Sequence, residues 1–293
     1  YIHMTIAKNF VTSGHWAENK MEFSSATSSP LWSLAISGVY MMFGINVYTP
    51  FVLNIIFGLL AICAAYYILN KFGISKNLFA LFIVFLFTSP LTALTFTGME
   101  HSAQITFALF FIYFGAKLIV SGEKNSGGVL WLILIAAILT GLRYEDIFLV
   151  LTVSVFLTVK KKYLPALLIL LAGVLPIIIY GIISSSHGWF FLPNPVLVKS
   201  KILDLSLVEI LKILPRGVKR ALEPDIMFLL PPMIFSAVTL YNNRREPLTQ
   251  KAVMLIIFIS VYILHMIFAQ TGWYFRYEAY LVAMGIVVLY IFI

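Results

Sequence analysis

The sequence predicts an all-α fold, a polytopic transmembrane helical bundle of about nine spans with interfacial helices on the extracytoplasmic side. Mean hydropathy is +0.98, and 61% of the 293 residues are hydrophobic. Charged residues make up 11% of the chain, whereas soluble domains carry about a quarter. Several apolar runs are long enough to cross a hydrocarbon core of about 30 Å as helices. The chain is therefore an integral membrane protein.

The spans follow one another with short polar connections, so we treat residues 1–293 as one transmembrane domain. Its parts are an outer loop with two interfacial helices (1–45), a helix bundle (50–184), an extracytoplasmic loop (185–225) and C-terminal spans (226–293). Arg143, Glu145 and Asp146 break the apolar run between 128 and 160, because each costs about 2.5–3.5 kcal/mol at the bilayer centre. The predicted spans are roughly 50–70, 78–98, 101–118, 128–142, 146–160, 163–184, 226–242, 252–270 and 277–293.

Basic residues indicate the sidedness. Four connections hold half of the 20 bases but only Glu123 and Glu246 of the 12 acids. Cytoplasmic loops collect Lys and Arg, so these loops face the cytoplasm and most acids face outside. The net charge of +8 is explained in this way, and we expect no nucleic-acid partner. The bases in question are Lys71, Lys76, Lys117, Lys124, Lys160, Lys161, Lys162, Arg244, Arg245 and Lys251.

Short amphipathic helices are predicted on the outer surface. Residues 2–13 place Thr5, Lys8, Asn9 and Thr12 on one face, and Gly14 ends the helix. Residues 30–44 begin at Pro30 and end at Gly44, and 15 residues are short for a crossing. A third helix is predicted over 206–223, either lying under lipid phosphates or gripping a substrate.

The most polar stretch, SSATSSPLW at residues 24–32, precedes the second of these helices. Its hydroxyl groups can cap the free N–H groups of the helix. Alternatively, Ser28, Ser29 and the helix N-terminus form an anion site. Trp32 is expected to anchor the helix at the interface.

Other chemistry-bearing residues are scattered. Glu100 follows Gly98 in a short connection, where it either caps the next helix or acts on a ligand, by polarising an acceptor, binding a metal or orienting a cation. His265 is expected to be a hydrogen-bonded residue inside a span. The histidines show no metal-ligand spacing, and the single cysteine, Cys63, excludes a thiolate metal site.

The order of these motifs resembles the GT-C superfamily of membrane glycosyltransferases, which includes the protein O-mannosyltransferases and the lipid A aminoarabinose transferases. The resemblance covers nearly the whole chain, and the order and sidedness of the motifs carry it. They are "YIHMTIAKNF", then "TSSPLW", "GME" at 98–100, "RYED" at 143–146, "PNPVLVK" at 193–199 and "RY" at 276–277.

The resemblance implies an enzyme of the plasma membrane of a bacterium or archaeon, with its active site outside. It would transfer a sugar from a polyprenyl-phosphate donor to a glycan, lipid or protein, by inversion in one displacement. Membrane lipid is a partner, no cofactor is required, and a divalent cation is left open. A polytopic transporter or lipid flippase is the alternative, which should show paired halves and ionisable groups near the midplane.

The resemblance also assigns roles to individual residues. Arg143, Arg276 and Lys199 would bind the donor phosphate with Ser28 and Ser29, because guanidinium groups grip two phosphate oxygens at once. For Arg143 an ion pair closing a helix turn is the alternative. Glu100 and Asp146 are the visible catalytic carboxylates. The expected site-lining residues are His3, Trp32, Asn194 and Tyr277.

The main catalytic base is expected outside this sequence. In relatives an acidic residue, often a pair, directly precedes the "YI" that here opens the chain as Tyr1 and Ile2, and it serves as the base. We therefore expect the base directly before Tyr1, and we expect the chain to be a fragment that lacks it. The last residues, "VVLYIFI", stop within an apolar run, which indicates a cut at that end as well.

Overall fold

The computed structural model describes most of the chain. All the regular structure in this part is helical, which confirms that the fold is all-α. The residues described are 2–19, 22–74, 83, 85, 90–121, 126–199, 215–224, 226–272 and 276–292.

Twelve α-helices are delimited in these ranges, and two 3₁₀ turns, Tyr144–Asp146 and Met227–Leu229, precede two of them. The helices are α1 (Ile2–Ser13), α2 (Pro30–Phe43), α3 (Thr49–Lys71), α4 (Leu91–Thr95), α5 (His101–Val120), α6 (Ser126–Leu142), α7 (Ile147–Val159), α8 (Tyr163–Ser186), α9 (Asn194–Lys199), α10 (Leu230–Asn242), α11 (Gln250–Phe268) and α12 (Ala279–Phe292).

Helix α5 is the centre of the bundle. It packs against α3, α6, α7, α11 and α12, and 72% of its apolar window is buried inside the protein. Helix α8 packs on α6 and α7 at the edge, where only 28% of its window is buried. The N-terminus of α5 is therefore held from several sides, and Glu100 directly precedes it.

Four helices are long and apolar enough to cross a membrane by length and composition, namely α3, α5, α8 and α11. Helices α6, α7, α10 and α12 are apolar but have 17, 13, 13 and 14 residues, whereas a perpendicular crossing takes about 20. About half of the predicted span 78–98, namely residues 78–82, 84 and 86–89, lies outside the described residues. The count of nine spans therefore stays a prediction.

The two N-terminal helices form where the sequence predicts them. Helix α1 is followed by Gly14 at φ +73°, and α2 starts at Pro30 and ends before Gly44 at φ +83°. One assignment on α1 was wrong, because Asn9 belongs to the buried face. Its amide donates to the carbonyl oxygens of Ala17 and Glu18 at 2.9 and 3.1 Å, which satisfies the buried group.

The third surface helix is described only in part, since residues 206–214 lie outside the described ranges. Residues 215–221 are helical. Arg220 Nη1 donates to the carbonyl oxygens of Met266, Ile267 and Ala269 at 3.2, 3.3 and 2.8 Å. A cation at the C-terminus of α11 meets the free carbonyl groups there, so Arg220 binds protein rather than lipid phosphate.

The two ends of the bundle carry different chemistry. At one end Lys162 Nζ donates to the carbonyl oxygens of Leu118 and Ser121 at the C-terminus of α5. Lys251 Nζ donates to Ile291 O at 3.2 Å there. The motifs predicted to be extracytoplasmic lie at the opposite ends of these helices. Which side of a membrane each end faces stays a prediction.

Candidate functional site

Glu100 is placed by a glycine turn. Gly98 has φ +69°, a left-handed conformation that side chains disfavour. Trp32 Nε1 donates to Gly98 O at 3.1 Å and fixes this turn against α2. Trp32 is 1% exposed and packs near Phe57. It therefore anchors α2 to the Gly98 turn rather than to a lipid interface, which corrects the expectation for this residue.

Arg143 joins two carboxylates in a buried ion pair. Its Nη1 donates to Glu100 Oε1 at 2.9 Å, and its Nη2 and Nε donate to Glu145 at 2.7 and 3.3 Å. The side chains of Arg143 and Glu100 are 1% and 0% exposed, and that of Glu145 is 22% exposed. The ion pair was one of the two alternatives that the sequence left open for Arg143, and it is the arrangement observed. A phosphate group would have to displace a carboxylate to bind Arg143.

The charges of this pair stabilise one another. Burial alone would raise the pKa of Glu100, but His101, His3 and Arg143 together lower it to about 2. Burial likewise opposes ionisation of Glu145, and Arg143 lowers its pKa. The two carboxylates in turn outweigh burial and raise the pKa of Arg143. Both acids and the guanidinium group are therefore charged at neutral pH.

Tyr277 lies beside both Arg143 and Arg276. Its ring lies 5.3 Å from Cζ of Arg143 and 5.0 Å from Cζ of Arg276, within cation–π range. Arg276 is half-buried, and its Nε is buried without a hydrogen-bond partner among the described residues. Arg276 is thus the cation of this cluster that retains an unsatisfied donor.

His3 closes the cluster on the α1 side. Its Nε2 lies 3.5 Å from Glu100 Oε2. Its Nδ1 lies 3.0 Å from Ser33 Oγ and 3.1 Å from Thr27 Oγ1. Burial lowers the pKa of His3, and the attraction of Glu100 does not offset this. We call the group of His3, Glu100, Arg143, Arg276 and Tyr277 the charged cluster.

The described chain begins beside this cluster. Tyr1 lies outside the residues that the structure describes, so a catalytic acid directly before it stays a prediction. The described chain begins at Ile2, the first residue of α1. His3 follows at once and lies against Glu100, so the first turn of α1 contributes a residue to the charged cluster.

The serine-rich stretch turns out to be largely buried. Ser25, Thr27 and Ser29 are 0% exposed, and Ser28 is half-buried. Ser29 does not cap α2 through its side chain, and its Oγ has no partner among the described residues. Thr27 Oγ1 instead accepts the Ser29 N–H at 3.1 Å. Thr27 also lies 3.1 Å from His3, so the stretch packs against the charged cluster. Of the two alternatives for the stretch, capping of α2 is not made by the Ser29 side chain, and the anion site stays a prediction.

Asp146 is fully buried. It is 0% exposed, its Oδ1 accepts from Gln104 Nε2 at 2.9 Å, and its Oδ2 has no partner among the described residues. A carboxyl group so placed cannot touch a substrate in this conformation, which weighs against the expected catalytic role. Sequence reasoning missed Gln104, although a polar residue one turn after Glu100 in an apolar helix is a signal for it.

A second missed residue is Glu278, which directly follows the "RY" motif. It is 0% exposed, and its Oε1 accepts the N–H of Gly272 at 2.8 Å. Gly272 has φ +97°. This hydrogen bond joins Gly272 to the residue that follows Arg276 and Tyr277.

Asn194 and Lys199 lie at the two ends of α9. The Asn194 N–H donates to Ser25 O at 3.1 Å, and Ser184 Oγ donates to Ser25 Oγ at 2.9 Å. The serine-rich stretch is thereby tied to the end of α8 and the loop after it. The side chain of Lys199 lies outside what the structure describes, so its proposed phosphate contact stays a prediction.

An apolar groove of about 960 Å³ is formed by residues near the N-terminal helices and α8. It runs between the start of α2, the end of α6 and the second half of α8. Its lining does not include Glu100, Arg143 or Arg276, but Tyr144 belongs to it and directly follows Arg143. Apolar side chains form most of its walls, among them Leu31, Leu34, Ile138, Leu175, Ile179 and Ile183.

Within the described ranges, no group of three or more His, Cys, Asp and Glu side chains is arranged to hold a metal ion. The divalent cation stays an open expectation. No family model, curated protein or solved structure matches this chain. Function is therefore inferred from the residues and their geometry.

Proposed function

We propose that the protein is an integral membrane glycosyltransferase of the GT-C type, which transfers a sugar from a polyprenyl-phosphate donor to an extracytoplasmic acceptor. The observation that carries this proposal is the charged cluster together with an apolar groove whose wall includes Tyr144, the residue after Arg143. A donor of this class has both an anionic phosphate and a long hydrocarbon tail. Such a donor needs a cationic group and an apolar surface next to each other.

Arg276 is the proposed phosphate ligand. Its Nε is buried without a partner in the described part of the chain, and a buried unsatisfied donor gains from a bound anion. Arg143 holds Glu100 and Glu145 in place and supports Arg276 through the shared Tyr277 ring. This division assigns phosphate binding to Arg276 and positioning to Arg143.

The groove is the proposed site for the first isoprene units of the donor. Several of its side chains are open to the surroundings, for example Leu34 at 45%, Leu175 at 51% and Ile179 at 49% exposure. A lipid tail can thus enter from the side rather than through a closed tunnel. Pro176 lies within α8 and also lines the groove.

The position of the charges favours an enzyme over a transporter or flippase. Glu100 precedes α5, Arg143 and Glu145 lie between α6 and α7, and Arg276 precedes α12. All lie at helix ends, whereas a transport pathway places ionisable groups midway along the spans.

The test is sugar release from a defined donor. The protein is reconstituted in lipid nanodiscs with undecaprenyl phosphate carrying radiolabelled hexoses or pentoses, and undecaprenyl phosphate release is measured. We expect turnover by the wild type and a loss of about 100-fold or more in Arg276→Ala, the scale for one electrostatic contact to a transition state. Arg245→Ala, an exposed residue at the opposite end, is the control and should retain activity. Equal turnover in Arg276→Ala and Arg245→Ala would reject the assignment.

A further inference from the structure

One part of the groove lining is aromatic. The loop after α1 contributes Trp16 and Phe23 to it, whereas α8 and the loop after that helix contribute Tyr180, His187 and Trp189. We call these five residues the aromatic end of the groove. The rest of the lining is mostly aliphatic and is the proposed site for the isoprene tail. The two parts of the groove therefore suit different chemical groups.

The rings of the aromatic end contact one another. The ring centroids of Trp16 and Tyr180 lie 6.5 Å apart, and those of Phe23 and Tyr180 lie 6.3 Å apart. Phe23 also stacks on His187, with centroids 4.4 Å apart and 19° between the ring planes. Trp189 Nε1 donates to Phe23 O at 3.0 Å. The loop after α1 and the end of α8 therefore form one aromatic surface, of which His187 and Trp189 are exposed.

Three polar atoms of the groove lining are unpaired. Tyr180 and Tyr144 are 6% and 8% exposed and line the groove, and neither hydroxyl group makes a hydrogen bond of normal geometry within the described part of the chain. Trp16 Nε1 is also buried without such a partner there. An unpaired buried polar group costs free energy, which a ligand with hydroxyl groups can recover and a hydrocarbon chain cannot. These atoms therefore favour a polar occupant next to the isoprene tail.

The charges of the lining favour a neutral occupant. The described residues that line the groove include Glu22 but no lysine or arginine. Glu22 is exposed, and its carboxylate would repel an anionic group nearby. The hydroxyl group of a sugar can instead donate a hydrogen bond to this carboxylate. A phosphate group is therefore better placed at Arg276 than at the aromatic end.

We propose that the aromatic end binds an uncharged sugar ring of the acceptor, which makes the acceptor a neutral glycan. The role of this sugar as acceptor rests on the proposed function. A sugar ring has a face of C–H groups, which suits the electron-rich faces of Trp and Tyr rings. Its edge carries several hydroxyl groups, which suit the unpaired atoms of Tyr144, Tyr180 and Trp16. A serine or threonine side chain of a protein acceptor offers one hydroxyl group, and a lipid chain offers none.

Saturation-transfer NMR tests this binding without turnover. The protein is held in lipid nanodiscs, and the probes are maltose, cellobiose, lactose and a hexapeptide that contains serine and threonine. We expect at least one disaccharide to bind, and Tyr180→Phe to lower its affinity about 3- to 10-fold through the loss of one hydrogen bond. Tyr262→Phe is the matched control, because Tyr262 is also buried with an unpaired hydroxyl group but lies outside the described groove lining. Thermal unfolding in detergent checks that each variant is folded.

A change of charge gives a second test that leaves the buried residues intact. Glu22→Lys replaces the exposed carboxylate of the lining, so cellobiouronic acid, an acidic disaccharide, should bind this variant about threefold more tightly than it binds the wild type. Glu18→Lys is the control, since Glu18 is exposed in the same loop but does not line the groove. Equal affinities of the two variants for the acidic disaccharide would overturn the placement of the sugar at the aromatic end.

Release of undecaprenyl phosphate separates this inference from the proposed function. Each probe is added as an acceptor to the protein with its labelled donor, and release is compared with the rate without a probe. We expect the disaccharide that binds to raise the rate, and the peptide to leave it unchanged. Tyr180→Phe should raise KM for this disaccharide and leave KM for the donor as in the wild type.

The outcomes that contradict the two proposals differ. Binding of a disaccharide without any release by the wild type overturns the proposed function and leaves the sugar site in place. Release that the peptide stimulates and no disaccharide stimulates overturns this inference alone. The inference also fails if no disaccharide binds, or if Tyr180→Phe and Tyr262→Phe bind it equally well.

Discussion

Replacing Arg143 by methionine should destabilise the protein more than any substitution on its surface. Methionine has a similar length but offers no hydrogen-bond donor. The change removes three hydrogen bonds, one to Glu100 and two to Glu145. Glu145 is partly exposed at 22% and can turn to water, but Glu100 at 0% cannot.

The loss in free energy of unfolding can be estimated from the burial of Glu100. Removing one partner of a buried ion pair costs about 3–5 kcal/mol, because an uncompensated charge is left behind. We expect Arg143→Met to lose about this amount, mostly through Glu100. Adding Glu100→Gln to the variant removes the stranded charge. The double variant should therefore regain about 2 kcal/mol, within the coupling range of residues in contact.

Unfolding by SDS in mixed micelles, followed by circular dichroism, measures these differences. Arg245→Met, an exposed arginine at the other end of the bundle, is the control and should change stability by no more than about 0.5 kcal/mol. The reasoning is refuted if Arg143→Met loses less than about 1 kcal/mol, or if Glu100→Gln does not improve it, since a buried pair requires both effects.

Three further substitutions test the glycine turn and the groove. Gly98→Ala should lower the free energy of unfolding by about 1–2 kcal/mol, because Gly98 has φ +69°. The control is Gly38→Ala on α2, where the added methyl group meets no atom within 4 Å and should leave stability unchanged or raise it. Equal melting temperatures of the two variants would contradict this. Trp32→Phe should cost about 1–3 kcal/mol, because the buried Gly98 carbonyl loses its donor; an unchanged unfolding midpoint would show that this hydrogen bond is not needed. Leu34→Trp should narrow the groove and raise KM for undecaprenyl-phosphate donors about tenfold. The control Val238→Trp changes an exposed site outside the described groove and should leave KM unchanged. Similar KM values for the two variants would show that the hydrocarbon tail binds elsewhere.

Local chemistry made several boundaries predictable. Pro30 and Gly44 mark the start and end of α2, and Gly14 marks the end of α1, because these residues favour such backbone positions on their own. The turn around Arg143 follows from the cost of charges inside a span. Each of these inferences needs only neighbouring residues.

The hydrogen-bond and ion-pair partners of the polar side chains were not predictable in the same way. Glu100 and Arg143 belong to different helix ends, and only the packing around α5 brings them together. The spacing of Asn9 along α1 places it on the polar face of the helix, yet the chain after α1 folds back and offers two carbonyl groups to its amide. Ser29 has the sequence position of a cap, but its side chain does not cap α2, and its N–H binds Thr27 two residues earlier. In each case the partner depends on how the chain folds around a helix end, which residue type and spacing do not specify.

Arg220 ties the helical residues 215–221 to the C-terminal end of α11. Its guanidinium group holds the last carbonyl groups of α11, and the connection that follows α11 leads directly to Arg276. Gly217 packs against Ile267 in the same place, where an added Cβ would meet Ile267 Cγ1 at 3.0 Å. A displacement of residues 215–221 would therefore be transmitted to the end of α11 and to the start of that connection.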